Sequence, residues 1–313
     1  GLGQVLGYVS YPKKDSRGFY FRTEYIGRSG VESAYDETLK GVNGSKIVVE
    51  DALKHIVSEH SISNSVSGEP LNLSIDAELS EAMYQIISTS SIKAGFRSGA
   101  AAIMDVKTGE LIALTSFPSY DPEVMADGHE VEIIESYNKD DRLPFLNKIV
   151  SGAYTPGSIV KPFVAYGALA EKIIDPNKVI VSTGEIVIPN PYNPDNPGRF
   201  TDWRAHGAMT MREAIAFSSN VYFYTIGGGF GDQKGLGITK MAEYYRLFGL
   251  GSLTGINIAP EQAGVVPDPA WKAKVFDDDW RLGDTYFTSI GQFGTLATPI
   301  QMLRAYSALA NGG

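Results

Sequence analysis

The sequence predicts an α+β fold, with helices packed on an antiparallel sheet, and two neighbouring stretches carry that reading. Leu71-Asn72-Leu73-Ser74-Ile75 alternates like a half-buried strand, and a helix from about Ala77 to Ile92 follows it. Two apolar strands, Gly99 to Met104 and Glu110 to Thr115, then flank the turn Asp105-Val106-Lys107-Thr108-Gly109. A strand, a long helix and an antiparallel hairpin imply helices on an antiparallel sheet rather than a parallel, doubly wound one.

Each element has a local signal. Asp76 stands where a helix N-cap belongs, and Leu79, Met83, Ile86 and Ile87 share one face of the helix after it. Gly109 supplies the positive φ that a tight hairpin usually needs. Thr155-Pro156-Gly157-Ser158 opens a helix expected to reach about Lys172. Thr210-Met211-Arg212-Glu213 has capping-box spacing, so a helix is expected from there toward Asn220. Thr298-Pro299-Ile300-Gln301 repeats that signature with Pro at the first helical position, and Asn311-Gly312-Gly313 ends it. Ile188 to Arg199, crowded with Pro, Asn and Gly, is expected to be an irregular surface excursion.

The first part of the chain is different. Residues 1–68 are rich in Gly, Ser and charge, with a short strand expected at Val5 to Val9 and one helix at Ile47 to His60. Ser61 to Gly68 is polar and turn-prone and reads as a linker. The boundary is therefore placed there, giving a small region, 1–68, and a large domain, 69–313.

Composition narrows the function classes. The 313 residues are 43% hydrophobic and 20% charged, with a net charge of −9 and no basic block that would mark a nucleic-acid partner. With no cysteine, disulfides, thiolate metal sites and a cysteine nucleophile are excluded. No window approaches the roughly 18 to 20 consecutive apolar residues of a membrane span. The chain opens Gly1-Leu2-Gly3 without a signal-peptide pattern, so a trimmed N-terminus is expected.

Ser158-Ile159-Val160-Lys161 supplies candidate chemistry. Serine is a poor nucleophile until a base takes its proton, and positions i and i+3 at a helix start can bring an amine within reach of a hydroxyl. The helix N-terminus also presents backbone N–H groups to an oxyanion. A lysine serves as base only where burial or nearby positive charge lowers its pKa. Ser-x-x-Lys alone is unspecific; what singles this one out is the Pro156-Gly157 turn before it and the apolar Ile159, Val160, Phe163 and Val164 around it. Ser218-Ser219-Asn220, expected at the end of the capped helix and followed by Val221-Tyr222-Phe223-Tyr224, is a polar triplet costly to bury without partners. A helix terminus with Asn as terminator is the plain alternative. Together the two motifs give two hydroxyls, an amide and an amine, a set suited to acyl transfer by serine with a lysine base.

Tyr154-Thr155-Pro156-Gly157-Ser158-Ile159-Val160-Lys161-Pro162 resembles the active-site stretch of class B penicillin-binding proteins, and Ala216-Phe217-Ser218-Ser219-Asn220 resembles their second motif. Further stretches agree in order: Gly27-Arg28-Ser29-Gly30-Val31-Glu32, Leu73-Ser74-Ile75-Asp76, Ser116-Phe117-Pro118-Ser119-Tyr120-Asp121-Pro122, His206-Gly207, Ile290-Gly291-Gln292, and Thr298 through Gly313. The resemblance implies a transpeptidase domain like that of penicillin-binding proteins and serine β-lactamases, with an antiparallel sheet, helices and an all-helical subdomain. Residues 1–68 would be what remains of the non-catalytic pedestal.

The resemblance implies a D,D-transpeptidase of cell-wall synthesis that cross-links peptidoglycan stem peptides and is acylated by β-lactam antibiotics, without a cofactor. Ser158 would attack the D-Ala-D-Ala carbonyl and Lys161 accept its proton. Ser218 would pass a proton to the departing D-Ala, while Asn220 orients Lys161 and the substrate amide, and Ser219 lies within reach of substrate. Such proteins work on the extracytoplasmic face of the bacterial inner membrane, through an N-terminal anchor this chain lacks, beside a membrane-embedded glycosyltransferase. A β-lactamase or β-lactam sensor of the same fold, and a non-catalytic cell-wall scaffold, are the alternatives.

The family's third motif, Lys-Thr/Ser-Gly, has one match here, Lys107-Thr108-Gly109, which precedes Ser158 and falls in the hairpin turn. It is a decoy. The true motif is expected downstream of Gly313, with the strands that close the sheet. The chain is thus expected to be a C-terminally truncated fragment with little or no activity, since losing one oxyanion donor alone costs about 100-fold to 1000-fold.

Some features carry no expected chemistry. Some relatives hold a zinc near Asp202-Trp203-Arg204-Ala205-His206, but two ligands without a cysteine do not make a site, and a surface or capping role is expected. Asp277-Asp278-Asp279 lacks calcium-loop spacing and reads as a solvated turn. Gly227-Gly228-Gly229-Phe230-Gly231 lacks the Lys-Ser/Thr of a phosphate loop and reads as a flexible loop. Glu261-Gln262-Ala263-Gly264 matches a family stretch without a chemical role.

Overall fold

The structure is a computed structural model that describes every residue except Asp15, Arg17, Phe19, Ala52, Lys54, Pro191 and Tyr192, and no side chain of Tyr20, Phe21, Arg22 or Glu50. The chain forms two compact units, Gly1–Gly152 with Gly255–Glu261, and Ala153–Thr254 with Gln262–Gly313.

In the first unit, the α+β reading holds. The strands Gly99–Met104 and Leu111–Phe117 pair antiparallel from Gly99↔Phe117 to Met104↔Leu111, and the helix Ala77–Ala94 packs on them. Asp105 Oδ1 accepts from the backbone of Lys107 (2.7 Å) and Thr108 (3.1 Å), and Gly109 takes a φ of 78°, which fixes Lys107-Thr108-Gly109 in the turn. Asp76 caps the helix as expected, accepting from Leu79 N at 2.9 Å. Its inward face differs from the expected one: Ser80 and Ser91 are buried, whereas Ile86 is 65% exposed. Leu71 to Ile75 is not a strand. It lies alongside the hairpin through single contacts, Ser74 Oγ to Leu111 O and Asp76 N to Ile112 O, without a ladder.

The opening residues depart further from expectation. Gly3–Leu6 is a helical turn rather than the start of a strand, because the buried Gln4 side chain donates to Pro118 O (2.9 Å) and Pro144 O (2.6 Å), pulling the backbone inward. Of the expected strand only its last residue, Val9, is extended, in the pair Val9–Ser10 with Ile26–Gly27. The helix expected from Ile47 to His60 is a hairpin, Ser45–Glu50 against Ile56–Ser63, with Ile47 opposite His60. Its β-branched residues disfavour helix, and Asp51 Oδ1 closes the turn by accepting from Leu53 N and His55 N; Ala52 and Lys54 of that expected helix lie outside the described residues. The polar stretch Ser61 to Gly68 accordingly begins as strand, and its remainder is bridged at Val42↔Val66.

The second unit is built around the helix Asn220–Gly228, whose Tyr222, Phe223 and Ile226 are wholly buried. A helix apolar on every side belongs in a core. The helices Lys161–Ala170, Ile238–Leu247 and Leu282–Ser289 surround it. Gly227 and Gly228 allow that closeness: a Cβ on them would lie 2.5 Å from Ser289 Cβ and 2.5 Å from the Tyr286 ring. The glycine run is therefore half helix, not a flexible loop. Two antiparallel pairs lie beside this core, Ile180–Ser182 with Gly207–Met209 and Glu185–Ile188 with Gly198–Thr201. The expected excursion between Ile188 and Arg199 is thus the end of a hairpin, with Pro191 and Tyr192 outside the described residues. The helix Pro299–Asn311 has the expected capping box and ends at Gly312, φ 90°.

The helix opened by Thr210 stops early. It spans Met211–Ala216, Ser218 turns to a φ of 55°, and a new helix starts at Asn220 with Ser219 as its N-cap. Asn220 therefore begins a helix rather than terminating one.

Candidate active site

The second unit brings the two sequence motifs together. Ser158 lies in one 3₁₀ turn, Gly157–Val160, that runs into the helix Lys161–Ala170. The turn is fastened on several sides. Gly157 N donates to Gly291 O at 3.0 Å, Tyr154 and Ala297 exchange backbone bonds of 2.9 Å, and Tyr306 OH donates to Ile159 O at 2.8 Å. Gly291 must be glycine, since a Cβ there would meet Gly157 O at 2.2 Å. That is a physical reason for the Ile290-Gly291-Gln292 stretch. Ser158 itself is exposed.

Lys161 is 2% exposed, and its ammonium has three hydrogen-bond acceptors: Ser218 O at 2.7 Å, Ser218 Oγ at 3.1 Å and Asn220 Oδ1 at 2.8 Å. Three protons meet three acceptors, so the charge is satisfied though buried. The Nζ also lies 5.5 Å from the centre of the Phe223 ring. Burial pulls the Lys161 pKa down to about 8, against the opposing pull of the Asp202 carboxylate. With that value, about a tenth of the lysines are neutral at pH 7. A neutral amine presents a lone pair, and the Ser218 hydroxyl is already within reach of it.

Lys161, Ser218 and Asn220 thus form one hydrogen-bonded cluster. Ser158 borders it in sequence, but its hydroxyl is not among the lysine's partners. Ser219 is wholly buried, caps Tyr222 N at 3.3 Å and donates to Asp202 Oδ2 at 2.7 Å. It thereby shapes the start of that helix.

The residues set aside in the sequence turn out to be structural, though not as expected. The Asp202 and His206 side chains are 0% and 1% exposed, so neither is a surface group. Among the described residues no cluster of three or more His, Cys, Asp or Glu could hold a metal. Asp278 is not merely solvated: it pairs with Lys272 at 3.0 Å and with Arg281 at 2.8 Å, closing the link between two helices. Glu261 Oε2 accepts from Gly255 N, and Ala263 O accepts from Gln301 Nε2, which accounts for a stretch without chemistry. Sequence reasoning missed Asp202 as a partner of the second motif, though the Phe200 and Trp203 aromatics on either side of it were a usable signal.

The model of the penicillin binding protein transpeptidase domain matches residues 99–313. The chain belongs to that family. The Penicillin-binding Protein dimerisation domain matches residues 2–73. Among similar penicillin-binding proteins, the peptidoglycan D,D-transpeptidase MrdA of Acinetobacter baumannii is 33% identical over 319 residues, covering 100% of this chain and 45% of its own length. That of Haemophilus influenzae is 32% identical over 323 residues, covering 100% and 47%. Two solved structures are similar throughout. Helicobacter pylori PBP2 in complex with MreC has a TM-score of 0.79 and 31% identity, covering 99% of this chain and 56% of that one. Pseudomonas aeruginosa PBP2 in complex with WCK 5153 has a TM-score of 0.79 and 27% identity, covering 100% and 63%. The chain spans about half the length of the curated relatives it matches.

Proposed function

We propose that this chain carries the acylation half of a peptidoglycan D,D-transpeptidase that is also acylated by β-lactams. The observation that supports it most is the buried lysine, held by Ser218 and Asn220, one helical turn from an exposed serine. Neutral Lys161 takes the Ser158 Oγ proton as Oγ attacks the carbonyl between the two D-Ala residues of a stem peptide. The tetrahedral intermediate collapses, the peptide C–N bond breaks, and Ser218 relays a proton from Lys161 to the departing D-Ala amine. The acyl-ester on Ser158 is then taken by the amine of a second stem peptide, which forms the cross-link and returns the proton to the serine.

Residues 1–68 are proposed as pedestal and 69–313 as the transpeptidase domain. Among the described residues no helix is long and apolar enough to cross a membrane. The proposed place of work is the extracytoplasmic face of the inner membrane, beside a membrane-embedded glycosyltransferase, in line with the neighbours solved with MreC and within a peptidoglycan synthase complex. The test is fluorescent penicillin labelling of the full-length gene product that contains these residues. Ser158→Ala is expected to abolish labelling; a variant that labels as well as wild type overturns the assignment of the nucleophile.

A further inference from the structure

Asp202 lies where the strand Gly198–Thr201 ends, and its carboxylate collects donors from the first turn of the helix Asn220–Gly228. Oδ2 accepts from Ser219 Oγ at 2.7 Å, from Val221 N at 3.0 Å and from Ser182 Oγ at 3.5 Å; Oδ1 accepts from Trp203 N at 2.9 Å. These donors hold its pKa below the usual carboxylate range despite burial. A carboxylate at a helix N-terminus satisfies orphan N–H groups and meets the positive end of the helix dipole. The preceding residue works on the same target: Thr201 O accepts from Asn220 Nδ2 at 3.4 Å and from Tyr224 OH at 3.3 Å. One strand end therefore fixes both the start of this helix and the amide of its first residue.

The consequence reaches Lys161. All three of its acceptors come from residues 218 and 220, and Ser218 holds a left-handed φ of 55° that a non-glycine residue keeps only when its surroundings impose it. We propose that Asp202 is a positioning residue for Ser218, Asn220 and Lys161, and that it acts as a free carboxylate with no metal ion. This rests on the reading of Ser158 and Lys161 given above.

The geometry around His206 supports the metal-free form. Its Nδ1 accepts from Arg204 Nε at 3.3 Å, so the proton of a neutral ring sits on Nε2. That nitrogen is buried, has no hydrogen-bond partner and lies 3.6 Å from Asp202 Oδ1. It faces the carboxylate as a donor, with no lone pair free for a cation. The remaining side chains at the carboxylate, Ser182 and Ser219, offer neutral hydroxyls, not the carboxylate, imidazole or thiolate ligands that a zinc site needs. The residues do not fit a bound metal.

The test follows acylation of the full-length gene product by fluorescent penicillin, from mildly acid to mildly alkaline pH. Asp202→Asn keeps the shape but removes the charge and one acceptor. Acylation is expected to fall by up to about 100-fold through misplacement of the base. The Asp202 carboxylate holds the proton on Lys161 against the pull of burial. Without that charge the midpoint of the pH profile is expected to move to lower pH, which a purely structural defect would not do. Ser219→Ala keeps the charge and loses one contact, so a several-fold loss with an unmoved midpoint is expected. Chelator is expected to leave the wild-type rate unchanged. A wild-type rate and midpoint in Asp202→Asn overturns the proposal, as does a loss on chelation that zinc restores. If Asp202→Asn does not fold, a wild-type rate in Ser219→Ala overturns it instead. Ser158→Ala serves as the control: labelling there sinks the serine reading itself, whatever Asp202 does.

Discussion

Two lysines, one in each compact unit, are buried to nearly the same extent, 4% exposed at Lys148 and 2% at Lys161, and burial brings both down to about 8. Their partners differ. Lys148 Nζ donates to one backbone carbonyl, Leu143 O at 2.9 Å, with the Asp140 carboxylate drawing its pKa up and Arg142 pushing it down. Lys161 reaches a serine hydroxyl and an asparagine amide and sits one helical turn after Ser158. Lys272 is a third case: also buried, it pairs with Asp284 at 2.7 Å, and the hydrogen bond to that carboxylate raises its pKa. Desolvation alone makes a lysine titrate near neutrality; a neighbouring hydroxyl is what gives the freed lone pair something to act on.

The comparison breaks most sharply on acylation. Lys161→Met is expected to lower the rate of penicillin labelling by about 100-fold to 10,000-fold, the usual worth of a general base. Lys148→Met is expected to leave the rate per folded molecule unchanged. If the two variants lose labelling equally, the distinction between a base and a buried structural lysine falls. Ser218→Ala should cost less, about 100-fold, because the Ser218 carbonyl at 2.7 Å still holds the lysine. Single-turnover labelling kinetics measure it, and a rate equal to wild type would remove Ser218 from the proton path.

Stability against pH gives the smallest effect and treats the two lysines alike. Both have a folded pKa of about 8 against an ordinary value of 10.5. Below pH 8 both states hold the proton, and the cost of burying the charge is fully felt. Between 8 and 10.5 the unfolded chain binds the proton and the folded chain does not, so stability rises with pH through that window. Denaturant titrations should show this rise in wild type, a smaller one in either Met variant, and none of the lysine contribution in the double variant. An undiminished slope in Lys148→Met would show that its burial is relieved in solution.

Much of the site was legible because its signals are local. The Ser158-x-x-Lys161 spacing, the capping box at Thr210 and the collinear family stretches all lie within short windows. The misread elements failed for a common reason. Ile47 to His60 carries enough apolar residues to suggest a helix, but its β-branched side chains and the Asp51 turn favour a hairpin. The break at Ser218 has no Gly or Pro to announce it. Its backbone is bent by bonds to Lys161, 57 residues away, and by the Asp202 staple on the following helix start.

By itself, then, the sequence determined the Ser158-x-x-Lys161 spacing at a helix start, the capped helices at Asp76 and Thr298, the tight turn that holds Lys107-Thr108-Gly109, and the family. These depend on dihedral preferences and hydrogen bonds between residues a few positions apart. Tertiary structure decided that Lys161 is buried, that its acceptors are Ser218 and Asn220, that Ser219 caps the following helix, and that the Asp202 carboxylate accepts from Ser219 and Val221. Those outcomes come from desolvation and from donors meeting acceptors across long stretches of chain, and only packing brings such groups together.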